Sequence, residues 1–364
     1  MKKIVVIYLG RRGAGPEYAF EMAKAMSEKA QVMCVISRYA SNISKWKELE
    51  GQSHSLSLKV VATYNSLPGF LIKSLDILKF RGLINSINSF DPDVIYSPMN
   101  HFWEKMIVPY CKCKQTIQTV HDPALHEGEN GWKYRLLKKI FSYQSSKYVI
   151  LSKTFKDSMQ ESGISEDNII VIPHAVFKGY NSRPLFEDYQ QYNRFLFFGR
   201  IIKYKGIEVL LNSMNEIIRR HPQATLVIAG NGDISPYKAL FEKLKNNLEL
   251  HIKWIEDNDV ESYFNDIDFV VLPYTHASQS GVIPLAYAFG KPVIASKIGG
   301  LPEQVDENVT GLLVNPGNEV QLTDNICKLL SSSEDLQRMK KACYLYAKNN
   351  TWEVSADLVL NSFN

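Results

Sequence analysis

The chain has 364 residues, 45% of them hydrophobic and 22% charged, with a formal net charge of +4. These are the proportions of a soluble globular chain, which sets aside disordered and fibrous classes, and the length predicts two domains rather than one. The charge is small and dispersed, with no long Lys/Arg run, which excludes nucleic acid as a partner.

The first residues enter a strand directly, and their apolar run is too short for a secretory signal. No stretch approaches about 18 uncharged apolar residues, so no membrane-spanning helix is expected. Cys34, Cys111, Cys113, Cys327 and Cys343 are odd in number with one close pair. This argues against a disulfide framework and a zinc site and for inert thiols in a reducing cytoplasm.

In chain order, β-branched runs predict strands at 4–9, 32–37, 58–64, 94–97, 116–120, 148–151 and 169–172. A second series follows at 195–198, 225–229, 251–255, 269–272, 292–295 and 311–314. Helical spacing lies between them, at 17–29, 153–162, 207–220 and 321–330 among others. Strands buried on both faces and alternating with helices imply parallel sheets, and two series imply two doubly wound, Rossmann-like α/β domains. The polar, aromatic stretch 177–193 is the expected boundary, giving domains at 1–180 and 190–345. In the tail, 346–364, Trp352, Ala356, Val359 and Leu360 fall at helical spacing, and this helix is expected to return to the first domain.

Ligands of doubly wound sheets bind outside the carboxyl ends of the strands. Four loops there carry candidate chemistry. Gly10-Arg-Arg-Gly13-Ala-Gly15 follows the first strand and is either a ligand loop or a tight turn; its spacing is not the dinucleotide fingerprint. Phe198-Gly199-Arg200-Ile-Ile-Lys-Tyr-Lys205-Gly206 offers a guanidinium fork and an ammonium point charge suited to phosphate. The loop from Pro273 through Ser278, Gln279, Ser280, Gly281 and Val282 enters an apolar helix; Ser280 would cap it, and the amides of Ser280, Gly281 and Val282 would face an anion. Pro292 through Gly299, Gly300 and Glu303 is a further strand, Gly-rich loop and helix start with a carboxylate in the first turn.

The order of these blocks, G-R…K-G, then P-Y…S-G…P-L-A-Y-A-F-G-K-P-V-I-A-S, then G-G-L-P-E and G-L-L-V, resembles glycosyltransferase family 4. The resemblance is strongest over 195–316. It extends more weakly to the N-terminal glycine loop, to Thr119-Val-His121-Asp122, to Ser152 and to Val171-Ile-Pro-His174. It implies a GT-B fold and transfer of a sugar from a nucleotide diphosphate with retention of anomeric configuration, without metal or other cofactor. It also implies that Arg200 and Lys205 hold the diphosphate with help from the amides at 280–282. Gly230 and Gly232 would line the nucleotide side, Gly199 would turn the donor-binding loop, and Gly13, Gly15 and His121 would face the reacting sugar. The protein then supplies no nucleophile but stabilises charge on the departing phosphate. The sequence departs from the family where two glutamates usually stand eight positions apart: Ala277 and Leu285 occupy those places. Ser278, Gln279, Ser280 and Glu303 are the candidate substitutes. The ASQSG block is read as a variant of bacterial surface-polysaccharide assembly, with a glycan or polyprenyl-linked acceptor. The alternative is a catalytically weak or regulatory nucleotide-binding relative; a GT-B epimerase and a dehydrogenase fit the motifs less well.

On the acceptor side, His121 and Asp122 follow the fifth strand, although Asp122-Pro123 also reads as a turn. His126 suits either an acceptor contact or a solvated loop, and His174 lies on the approach between the domains. Two basic amphipathic stretches remain: 70–87, with Leu71, Leu75, Leu78, Leu83 and Ile87 beside Lys73, Lys79 and Arg81, and 132–143 with Trp132, Leu136, Ile140 and Tyr143. Ordinary packing against a sheet explains both; an anionic membrane surface on the cytoplasmic face is the alternative.

Overall fold

The computed structural model describes residues 1–13, 15–121, 144–176 and 190–363. The chain divides into two compact units, one of Met1–Ile172 with Trp352–Asn364, the other of Pro173–Thr351. The division falls at Ile172, ahead of the expected 177–193 linker, and the chain re-enters the first unit at Trp352 rather than at 346.

The first unit holds a seven-stranded sheet. Its strands are β1 (Lys3–Tyr8), β2 (Gln31–Ser37), β3 (Leu56–Val61), β4 (Val94–Ser97), β5 (Gln115–Val120), β6 (Lys147–Ile150) and β7 (Ile169–Val171), in the order β3-β2-β1-β4-β5-β6-β7 and parallel throughout. The central strands are apolar on both faces, as a sheet covered by helices on each side demands: Ile4, Val5, Val6 and Ile7 are all fully buried. The helix Gly15–Ser27 is buried on most of its circumference because the tail helix Trp352–Asn361 packs on it. The Trp352 ring meets Tyr18 edge-on at 5.2 Å, and Lys29 pairs with Asp357 at 2.5 Å.

The second unit is a six-stranded parallel sheet of β8 (Arg194–Phe198), β9 (Thr225–Ala229), β10 (Leu248–His251), β11 (Phe269–Leu272), β12 (Val293–Ser296) and β13 (Gly311–Val314), ordered β10-β9-β8-β11-β12-β13. The strand order reverses beside β1 in the first sheet and beside β8 in the second. Each reversal leaves a crevice at the carboxyl ends of two adjacent strands whose helices leave on opposite faces.

Two strands differ from the sequence reading. The strand expected at 251–255 is β10, Leu248–His251. It ends at His251 because the His251 carbonyl accepts from both Gly230 N and Lys253 N, which turns the chain away from the ladder. The strand expected at 58–64 is β3, ending at Val61. The Ala62 and Thr63 carbonyls are taken by the ammonium groups of Lys79 and Lys73.

Candidate active site

At the carboxyl end of β8 the chain runs through Gly199 and Arg200 to a one-turn 3-10 helix, Lys203–Lys205, and then to the helix Ile207–Arg220. At the carboxyl end of the neighbouring β11 it continues through Pro273 and Tyr274. Backbone contacts lock these two loops together. Thr275 N donates to Tyr204 O at 2.8 Å. Gly206 takes a left-handed conformation with φ 68°, and a Cβ on it would lie 1.8 Å from Pro273 O. No other residue fits there. A third loop braces the first: Gly199 N donates to Ala229 O and Ile201 N to Asn231 O. A Cβ on Gly230 would lie 1.8 Å from Gly199 O, and one on Gly232 2.2 Å from Ile201 O. Both glycines turn their bare side to the β8 loop, so their contribution to a nucleotide site is the shape of that loop rather than a ligand-facing surface.

The cations of the β8 loop differ in setting. Arg200 is exposed, and among the described residues it carries no hydrogen bond or ion pair. Lys205 is half-buried, with its Nζ 3.7 Å from the ring centroid of fully buried Tyr274. Burial lowers its pKa from 10.5 to about 8, and the nearby Arg200 charge pushes the same way. An ammonium held over an aromatic face and stripped of much of its water is poised to accept an anion, which restores the stabilisation its charge lacks.

The β11 loop corrects one expectation. Of the amides at 280–282, Ser280 N is already committed to Gln304 Oε1 at 3.0 Å, and Val282 N faces Ser280 Oγ at 3.3 Å. Ser280 therefore turns its hydroxyl back onto the start of the helix Val282–Ala288, while Gly281 stands at the cap position and is exposed. Ser278 and Ser280 are both buried, and the Ser280 hydroxyl lies within the loop, 3.4 Å from Tyr274 Oη. Gln304, which the motif reading passed over in favour of exposed Glu303, completes the brace by donating Nε2 to Ser280 O at 3.1 Å. Tyr287 in turn donates to Gln304 O at 3.0 Å. Gln304 thus behaves as a strand partner for one residue. Its replacement by Leu strands a buried donor and acceptor at about 1–3 kcal/mol each. The expected result is a Gln304→Leu protein destabilised by roughly 2–6 kcal/mol, measured by denaturant unfolding with an unchanged slope; wild-type stability would contradict the brace.

The missing glutamates have structural replacements. Leu285 packs in the apolar cluster beneath the loop, and the Ala277 carbonyl lies against Gly299, where an added Cβ would come within 1.9 Å. Gly300 N donates to Ser278 O at 2.7 Å, tying the β12 loop to the β11 loop. His174, expected on the acceptor side, belongs to the second unit, and its Nε2 lies 3.8 Å from where a Gly281 Cβ would be. It therefore neighbours the loop assigned to the donor, and the domain boundary ahead of Pro173 is the reason.

In the first unit, Gly15 begins its helix against Tyr8 Oη, 2.9 Å from an added Cβ, whereas Gly13 is exposed with nothing near. His121 stands at the carboxyl end of β5, its Nε2 donating to Pro98 O at 2.9 Å and its ring edge-on to Tyr18 at 4.8 Å. In the same unit, Arg11 stacks on Tyr64 at 4.9 Å, and Tyr64 Oη bonds His101 Nε2 at 3.2 Å. Burial holds His101 near pKa 4, with the Arg11 charge acting in the same direction, so it is neutral at physiological pH. Asp122, His126 and the 132–143 stripe lie outside the described residues.

Two doubly wound sheets, the second presenting cations and turned-in glycines at its switch point, define a two-domain α/β protein of GT-B type. The chain belongs to glycosyltransferase family 4 and is a glycosyltransferase. Residues 16–177 match the family model described as Glycosyltransferase Family 4, and residues 192–332 match that described as Glycosyl transferases group 1. An uncharacterized glycosyltransferase of Methanocaldococcus jannaschii is 26% identical over 76% of this chain and 79% of its own length. An uncharacterized 41.2 kDa protein from the cps region of Klebsiella pneumoniae is 24% identical over 80% of this chain and 74% of its own. Among solved structures, Anabaena HepE in complex with UDP superposes with a TM-score of 0.71 at 16% identity, covering 99% of this chain and 98% of that one.

Proposed function

We propose that this glycosyltransferase takes its sugar from a nucleotide-diphosphate donor bound at the second unit's switch point. The sugar passes, with retention of configuration, to a glycan or lipid-linked acceptor in bacterial surface-polysaccharide assembly. The observation that carries the reading is Lys205, half-buried over Tyr274 in a loop that Gly206 and Gly230 lock beside the β11 loop. Arg200 brings a guanidinium fork to the same loop, and the exposed Gly281 amide adds a neutral donor from the adjoining one. In this role the cations grip the pyrophosphate and gain most when charge accumulates on it as the glycosyl bond breaks. The site as drawn asks for no metal or other cofactor. His121, oriented by Pro98 O, and Gly13 and Gly15 are assigned to the side that meets the reacting sugar, with Glu303 a candidate contact to the donor.

The Klebsiella relative is named for the cps region, and the HepE structure was determined with UDP; both support the reading, and uridine is the base to try first. A thermal-shift screen of UDP-, GDP- and ADP-sugars tests it. A ligand bound only to the native state at about 100 times its Kd stabilises that state by roughly 2.7 kcal/mol, so the right donor raises Tm. No shift with any nucleotide sugar at millimolar concentration overturns the donor assignment.

A further inference from the structure

Among the described residues no helix is long and apolar enough to cross a membrane, yet one corner of the first unit is strongly apolar on its outside. The helices Leu67–Ser74 and Ile77–Phe90 follow β3. An amphipathic helix on a soluble domain turns its apolar side inward, and the later turns of Ile77–Phe90 do so with Phe80, Leu83 and Ile87. Ahead of them the order is reversed. Leu71, Ile72, Leu75, Ile77 and Leu78 are 63%, 71%, 80%, 73% and 80% exposed. The ammonium groups of the same segment go inward instead: Lys73 Nζ donates to Thr63 O at 2.8 Å, and Lys79 Nζ donates to Ala62 O at 2.6 Å while lying 4.0 Å from the Trp103 ring centroid. Side-chain caps fix both helix starts, Ser66 accepting from Gly69 N and Asp76 from Lys79 N. Five successive aliphatic side chains held outward while lysines occupy the inner positions are expected where the covering partner is itself apolar.

Charge says which partner. Arg38 N donates to Val61 O, the carbonyl immediately before the two that hold Lys79 and Lys73, and Arg11 stacks on the following Tyr64. The cationic groups of Lys79, Lys73 and Arg11 therefore lie at 62–64, the Arg38 backbone adjoins Val61, and the Arg12, Arg38 and Arg81 residues are exposed. Over 59–90 the charged residues are Lys59, Lys73, Lys79, Arg81 and one acid, Asp76, which serves as a helix cap. A second copy related by a twofold axis would bring two such basic rims together. A neutral apolar groove would leave the cations unmatched.

We infer that this corner docks on an anionic lipid bilayer, with Leu71, Ile72, Leu75, Ile77 and Leu78 entering the acyl boundary and the basic rim meeting the headgroups. Aliphatic insertion and cationic attraction are the two components of interfacial binding, and both are present here. The inference stands apart from the donor assignment. The carboxyl end of β1, two strands from β3, is thereby carried toward the lipid surface.

Flotation of the full chain with vesicles of phosphatidylglycerol and phosphatidylcholine, and with phosphatidylcholine alone, tests it. Wild type floats with the anionic vesicles and at least tenfold less with the neutral ones. Leu75→Glu/Leu78→Glu and, separately, Arg38→Glu each lower partition at least tenfold. Both variants keep the wild-type Tm and UDP affinity, because the altered side chains are exposed and lie in the other unit. Absence of flotation, equal flotation of the variants, or equal binding to neutral vesicles overturns the inference. So does a wild-type dimer that Leu75→Glu/Leu78→Glu converts to monomer, which would assign the face to a second copy.

Discussion

Lys205→Ala and Arg200→Ala each lower kcat/KM at least tenfold, with Lys205 giving the larger loss. Each removes a charge-assisted contact to phosphate of about 1.5–3 kcal/mol, which is on the order of ten- to a hundredfold in rate. Arg200 is exposed and sits at the lower end of that range. Lys205 has already given up much of its hydration in the folded protein, so its contact with the diphosphate is made in poorly screening surroundings. The same burial gives a pH signature. In the free protein Lys205 loses its proton near pH 8 instead of near 10.5. The charged form binds the diphosphate, so donor affinity is full below about pH 8 and falls as pH rises past it, by up to tenfold per unit until the pKa of the complex is reached. Lys205→Arg, charged throughout, flattens this dependence. Isothermal titration with UDP from pH 7 to about pH 10 reads both effects; a flat wild-type profile contradicts the role given to Lys205.

Gly206→Ala is the second large effect, and it acts through the backbone. The residue combines φ 68° with a Cβ position 1.8 Å from Pro273 O, a contact with backbone rather than with a movable side-chain tip. The left-handed conformation alone costs about 1–3 kcal/mol with strain at such a site. The clash forces the β8 loop off the β11 loop, so the total is expected to be roughly 3–5 kcal/mol. For a domain of this size that lowers Tm by about 6–20 °C, and the displaced Lys205 costs donor affinity as well. A Gly206→Ala protein with wild-type Tm and UDP affinity would show that the two loops are not locked as described.

The alternation of β-branched runs and helical spacing made both sheets legible, because parallel strands buried on two faces leave an uninterrupted apolar signal. The β8 loop was legible for the same kind of reason: Arg200, Lys205 and Gly206 lie close in sequence and just after a strand. What escaped the sequence depends on pairing across distance. Gln304 reaches Ser280 across 24 positions. No local pattern announces that the Ser280 amide is occupied, that Gly230 and Gly232 turn their bare side to the β8 loop, or that Tyr274 lies beneath Lys205. His174 was misplaced because the polar stretch after it looked like the linker, whereas the division falls ahead of Pro173. In 70–87 the apolar period fixed helices but not which side faces out. Carbonyls at 62 and 63 drew Lys73 and Lys79 inward, so Leu71, Leu75 and Leu78 face solvent while Leu83 and Ile87 are core.

The most direct test is a crystal structure of the protein grown with UDP. The diphosphate is expected between the carboxyl ends of β8 and β11, within hydrogen-bonding distance of the Arg200 guanidinium, Lys205 Nζ and Gly281 N. A nucleotide bound elsewhere, with Arg200 and Lys205 turned to solvent, would contradict it.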